Sequence, residues 1–187
     1  MTPMKFVAIV ALASELPIEF WPFEEPIIYS GVGKLNAAFT TMRAISKYEP
    51  ELILNLGTVG SLNDELRNVV EINKVIQRDF DAEPLAPRGA VPFEDFPSEL
   101  FSGYGDASCG TGDTFVRVRD NWLQNKKIDV VDMELFAIAK VCVQLDIPWR
   151  SFKFISDHVN VHSDSDWEQN LQISHVELIK FTQKMLK

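Results

Sequence analysis

Cysteine is scarce in this chain. Cys109 and Cys142 lie far apart and form no CxxC pair, which argues against a disulfide framework and against a thiolate zinc site. Cys142 falls inside an apolar helical pattern and reads as core, whereas Cys109 reads as a loop or strand-end thiol. Basic residues are also in deficit. With 18 Lys and Arg against 27 Asp and Glu, the net charge is -9, so the surface repels phosphate backbones and anionic lipid. Neither nucleic acid nor a membrane is an expected partner, while a small neutral or cationic ligand remains compatible. The apolar run 6–12 is too short to span a bilayer. A single Lys ahead of it and the lack of a small-residue cleavage site argue against a signal peptide, so a cytoplasmic protein is expected. His158, His162 and His175 lack metal-ligand spacing; no metal and no cofactor are expected. Repeats and low-complexity tracts are missing too.

What is present is an ordinary globular balance: 46% apolar and 24% charged residues in 187, enough for one domain with a substantial core. Residues 6–12 form a continuous apolar run and predict a strand buried on both faces. Ile27–Ser30 predicts a short strand ending at Gly31-Val32-Gly33. From Lys34, the spacing of Leu35, Ala38, Phe39, Met42 and Ile45 predicts an amphipathic helix over 34–47, stopped by Glu49-Pro50. Leu52–Leu56 is a second buried strand, Val69–Ile76 one or two more. Pro84, Pro87, Pro92 and Pro97 make 80–110 a long surface loop with short strands. Ile128–Asp132 is a strand leading into a helix over 133–145, and Trp149–Asp157 a strand with an acidic end. A last helix is expected from about Asp166 or Trp167 to Met185, with Val176, Ile179 and Leu186 inward. Strand–helix alternation of this kind means an α/β sheet with loops gathered at strand ends.

Gly31-Val32-Gly33-Lys34 suggests a phosphate loop only superficially. Leu35 follows the Lys where Ser or Thr is required, and Asn36 occupies the third position of a dinucleotide glycine pattern. A tight strand-to-helix turn is the better reading. More informative are three carboxylates: Glu15 just past the first strand, Glu134 at a helix start after a strand, and Asp157 at a strand end. Singly, each suits a solvated charge or a helix cap. Together they occupy the edge where an open α/β sheet has its ligand crevice.

In order, Gly31–Ala38, Asn55–Leu62, Thr111–Val116, Val131–Glu134 running on to Cys142, and Phe154–Asp157 resemble the nucleoside phosphorylase/nucleosidase family. Within it the chain is most similar to the 5'-methylthioadenosine/S-adenosylhomocysteine nucleosidases, with the interval from about 63 to 111 shortened. The resemblance implies one domain over 1–187, a central mixed sheet flanked by helices, and hydrolysis of a purine nucleoside. It implies that Asp157 protonates or hydrogen-bonds the purine N7, that Glu15 activates water, and that Glu134 holds the ribose hydroxyls over Met133. Phe115 would stack on the base and Val116 read its edge, with Thr58, Val59, Gly60 and Ser156 completing the substrate site. Lys153 stands where these nucleosidases carry Arg, as plain strand charge or as a partner that orients Glu134. Family members commonly dimerise, and Trp21, Phe23, Phe93 and Phe96 are compatible with such an interface.

The chemistry is consistent with those roles. Glycosidic cleavage develops positive charge on the sugar, which carboxylates stabilise. Asp157 must be protonated to assist the departing base, and apolar Phe152, Phe154 and Ile155 would bury it. Between Ala8 and Gly33 there is no Lys or Arg but there are four glutamates, and Asn55 stands where phosphorylases tend to carry Arg. Both features favour water over phosphate as nucleophile; the Thr58 hydroxyl beside two glycines argues the other way. A phosphorylase and a non-catalytic nucleoside-binding protein remain the alternatives.

Overall fold

The structure, a computed structural model, describes residues 5–118, 120–159 and 163–186, with side chains of 163–172 excepted. His162 and Asn160 lie outside the described residues. The apolar runs form strands β1 (Phe6–Val10), β2 (Ile27–Tyr29), β3 (Leu52–Ser61), β4 (Val69–Gln77), β5 (Glu99–Phe101), β6 (Ala107–Thr111), β7 (Val130–Asp132) and β8 (Trp149–His158). The helices are α1 (Lys34–Tyr48), α2 (Asn121–Asn125), α3 (Leu135–Gln144) and α4 (Ser163–Met185).

All the strands join one mixed sheet in the order β2-β1-β3-β7-β6-β4-β5, and β8 pairs with both β3 and β4. Strands β3, β7, β6, β4 and β8 therefore close on one another like a barrel, with β1 and β2 extending it as a parallel flank. Alternation along β1 explains its burial on both faces. Val7 and Ile9 enter the core shared with Leu135, Ile138 and Cys142 of α3. Phe6, Ala8 and Val10 enter the opposite core, with Phe152 and with Leu178 of α4. The expected α/β sheet flanked by helices is what the chain forms. Among the described residues no helix is long and apolar enough to cross a membrane.

Four details depart from the sequence reading. In α1 the buried stripe is Ala37, Thr41 and Ala44, because only small side chains let α1 approach α3 closely. Of the expected apolar face, Ile45 reaches the core, but Leu35, Phe39 and Met42 are 84%, 63% and 55% exposed. Val176 of α4 is likewise exposed, and Leu178 takes the fully buried position. Cys109 is no loop thiol: it is buried inside β6, and its Sγ donates to Asp132 Oδ1 at 3.4 Å. Of the four aromatics read as exposed, Trp21 and Phe23 pack edge-on against Phe6 and Phe96 packs against the core. Phe93 alone of them is exposed.

Candidate active site

The carboxyl ends of β1, β3 and β8 open into a cavity of about 250 Å³. Glu15, Thr58, Val59, Gly60, Phe115, Val116, Met133, Glu134, Ser156 and Asp157 all line it. Ten side chains or backbone positions read from the sequence thus meet on one concavity. Lys153 does not line it. His175 stacks on Phe20 and His158 sits near Asp64, away from the cavity lining.

Glu15 is buried and tied down on three sides. Its Oε1 accepts from the Thr58 amide at 2.9 Å and the Thr58 hydroxyl at 2.6 Å, and its Oε2 accepts from the Leu12 amide at 3.1 Å. The loop after β1 is thereby pinned to β3. Asp157 owes its orientation to an irregularity in β8. The β3–β8 register runs Val59↔Ile155 and then Gly60↔Asp157, so Ser156 is an extra residue. Such a bulge re-aims the side chain that follows it. The Ser156 hydroxyl bonds Val59 O and Asp157 Oδ1, at 3.2 and 2.9 Å. A Cβ at Gly60 would come within 3.1 Å of Asp157 Oδ2, so a side chain there would crowd the carboxylate.

Glu134 stands at the start of α3, but its side chain does not cap that helix. It accepts instead from the Gly33 amide at 2.8 Å. Gly33 makes this possible with φ 99°, a backbone conformation that side-chain-bearing residues rarely adopt. The helix is capped instead by Asp132, whose Oδ2 accepts from Leu135 N at 2.9 Å.

Asp132 was not singled out from the sequence, and it organises the floor of the site. Lys153, almost wholly buried, pairs with Asp132 Oδ2 at 3.0 Å; neither reading from the sequence, plain strand charge or a partner that orients Glu134, names Asp132. One residue separates the two acids, and only the backbone geometry after β7 determines which of them points inward. Asp132 Oδ1 accepts from the Thr111 hydroxyl at 2.5 Å. Burial pushes the Asp132 carboxyl up, yet Lys153 and these donors hold it below the ordinary range. That fixed negative charge acts on its neighbour: burial, then Asp132, drive Glu134 up to about 7.

Arg78, at the end of β4, was also missed. Its guanidinium donates to Gly110 O and the Thr114 hydroxyl, at 3.1 and 3.0 Å, to Gly112 O at 3.0 Å and to Thr114 O. It thereby shapes the 112–116 loop that carries Phe115 and Val116. Carbonyl acceptors have no sequence signature, so no pattern marked it. Asn55 is equally structural: it donates to Ile9 O and accepts from the Ser151 hydroxyl, tying β1 and β8 to β3. Chemically, the cavity offers carboxylates on several sides and apolar walls at Val59, Val116, Val131 and Val159. That arrangement suits a substrate with a flat apolar part and a part that becomes cationic.

Known proteins resemble this chain along most of its length. A 5'-methylthioadenosine/S-adenosylhomocysteine nucleosidase of Buchnera aphidicola is 30% identical over 185 residues, spanning 86% of this chain and 79% of the relative. The enzyme of the same name from a Marinomonas species is 28% identical over 184 residues, 86% of this chain and 80% of its own. Among solved structures, a mutant Helicobacter pylori nucleosidase with 5'-methylthioadenosine in its active site superposes with a TM-score of 0.88 at 18% identity, covering 98% of each chain. Futalosine hydrolase of Helicobacter pylori gives 0.87 at 20% identity, covering 98% of this chain and 97% of that one. The phosphorylase superfamily profile matches residues 26–107 and 104–187, and this chain belongs to that family.

Proposed function

We propose that the chain is a nucleosidase that hydrolyses the N-glycosidic bond of a purine nucleoside such as 5'-methylthioadenosine or S-adenosylhomocysteine. One observation carries the reading: Glu15, Glu134 and Asp157, remote in sequence, line a single cavity with an apolar wall. The purine lies between Phe115 and the valines, with Val116 at its edge. Asp157, steadied by Ser156, supplies the hydrogen bond or proton at N7. Glu134 holds the ribose hydroxyls above Met133, and Glu15 takes a proton from the attacking water. As the bond breaks, positive charge on the sugar develops between carboxylates, which favour it more in the transition state than in the ground state. No cofactor enters these steps.

Two observations favour water over phosphate as nucleophile. The Thr58 hydroxyl donates to the Glu15 carboxylate, so its proton is not directed at a bound phosphate. Among the described residues lining the cavity the cation is Arg78, which is engaged by loop carbonyls. Among the described residues, phosphate would meet carboxylates without a compensating set of side-chain cations. The test is release of free base from a panel of purine nucleosides, with and without phosphate.

The reading treats 1–187 as one catalytic domain, shortened over about 63–111, in the cytoplasm. Its macromolecular partner is a second copy. Leu35, Phe39 and Met42 form an outward apolar stripe on α1, a helix that starts beside the cavity wall at Val32. A stripe of that kind is normally covered.

A further inference from the structure

The turn Gly31-Val32-Gly33-Lys34 binds no phosphate in the reading above, which leaves its lysine unexplained. Lys34 Nζ lies 2.5 Å from Asp79 Oδ1 and 3.6 Å from Asp113 Oδ2. The Lys34 amide donates to Asp113 Oδ1 at 2.8 Å, and the Asp113 amide donates to Asp79 Oδ2 at 2.8 Å. Lys34 and Asp79 are both about four-fifths shielded from solvent, so this is more than a surface pair.

Two walls of the cavity meet at this cluster. On one side, the amide next to Lys34, that of Gly33, holds Glu134. On the other, Asp113 begins the loop that carries Phe115 and Val116. Each wall has anchors of its own, and the cluster is what joins them. Arg78 ties the loop down through its bonds to Gly112 and Thr114, the Ser30 and Gly31 amides tie the start of the turn to Val10 O and Ala11 O, both at 2.9 Å, and Lys34 with Asp113 bridges the end of the turn to the loop.

We propose that Lys34, Asp79 and Asp113 form an ionic clasp between the purine-side loop and the turn that fixes Glu134, so that Lys34 is a positioning residue for the sugar half of the substrate. The inference rests on the nucleosidase reading for the identity of the two halves. It explains why a lysine with no anion to bind stands at the start of α1. Loss of the ammonium leaves the Lys34 amide on Asp113 but removes the ionic part of the bridge, which loosens the Gly33–Lys34 end of the turn and with it Glu134, while Arg78 keeps the base loop in place.

The experiment compares two affinities by calorimetry, for 5'-methylthioadenosine and for free adenine. Both are measured in the Asp157→Asn background so that nothing turns over. Lys34→Met should weaken nucleoside binding about tenfold, the scale of one lost charge-assisted hydrogen bond, and adenine binding by less than about twofold. Lys34→Arg should restore most of the nucleoside affinity. If Lys34→Met is poorly folded, Lys34→Gln serves as the second truncation. Equal weakening of both ligands, no change in either, or failure of Arg to rescue would overturn the clasp. Absence of base release by the unmodified protein is a separate outcome and counts against the nucleosidase reading, because the affinity ratio needs no turnover.

Discussion

Replacing Glu134 by Gln should make the protein more stable at alkaline pH while disabling it. Burial and the neighbouring Asp132 raise the Glu134 carboxyl from 4.5 to about 7. An acid whose pKa is higher folded than unfolded contributes stability that is complete below about pH 4.5 and is lost as pH rises through 7. The difference of about 2.5 pH units, at about 1.4 kcal/mol each, amounts to about 3 kcal/mol of penalty at pH 8. At pH 5 the same linkage leaves about 1 kcal/mol. Gln keeps an acceptor for the Gly33 amide and carries no charge, so it escapes the penalty. For a chain of this size the gain at pH 8 corresponds to a Tm roughly 6–12 °C higher. Thermal melts of both proteins at pH 5 and pH 8 measure it, and kcat/KM for nucleoside should fall by about a hundredfold with the lost ribose contact. A variant no more stable than the parent at pH 8, or a gap that does not narrow toward pH 5, would refute the reasoning.

The remaining expectations concern the floor of the site and the outer face of α1. Lys153→Met leaves Asp132 buried without its cation and should cost about 3–5 kcal/mol in urea unfolding; adding Asp132→Asn should recover part of that loss, and strict additivity would contradict the pairing. Phe39→Asp should convert a dimer to a monomer in light scattering at micromolar concentration, and a monomeric parent protein would remove the basis for that proposal.

What the sequence made legible follows a pattern. Glu15 and Asp157 stand just beyond or at the end of apolar runs, where strand ends build crevices, so their convergence could be inferred from position. Glu134 was placed correctly, but its contact was not: Gly33 lies 101 positions away, and only the fold brings the two together. The pairing of Lys153 with Asp132 has the same origin, since two acids one residue apart at a strand-to-helix turn point in directions no pattern encodes. In α1 the periodicity found the apolar residues but not the packed side, because helix contact selects small residues over large ones. Arg78 and Asn55 act on backbone carbonyls, which every residue possesses. Lys34 was visible in the sequence as a motif, and its use depends on Asp79 and Asp113, which arrive from just beyond the ends of β4 and β6.

The central claim is that carboxylates, with no help from phosphate, release a purine from its sugar. Its most direct measurement is liberation of adenine from 5'-methylthioadenosine in phosphate-free buffer by the parent protein and by Asp157→Asn. The account expects base and free sugar at a rate unchanged by added phosphate, and turnover abolished in a fully folded Asp157→Asn. Release that requires phosphate and yields a sugar phosphate, or undiminished release by the Asn variant, would contradict it.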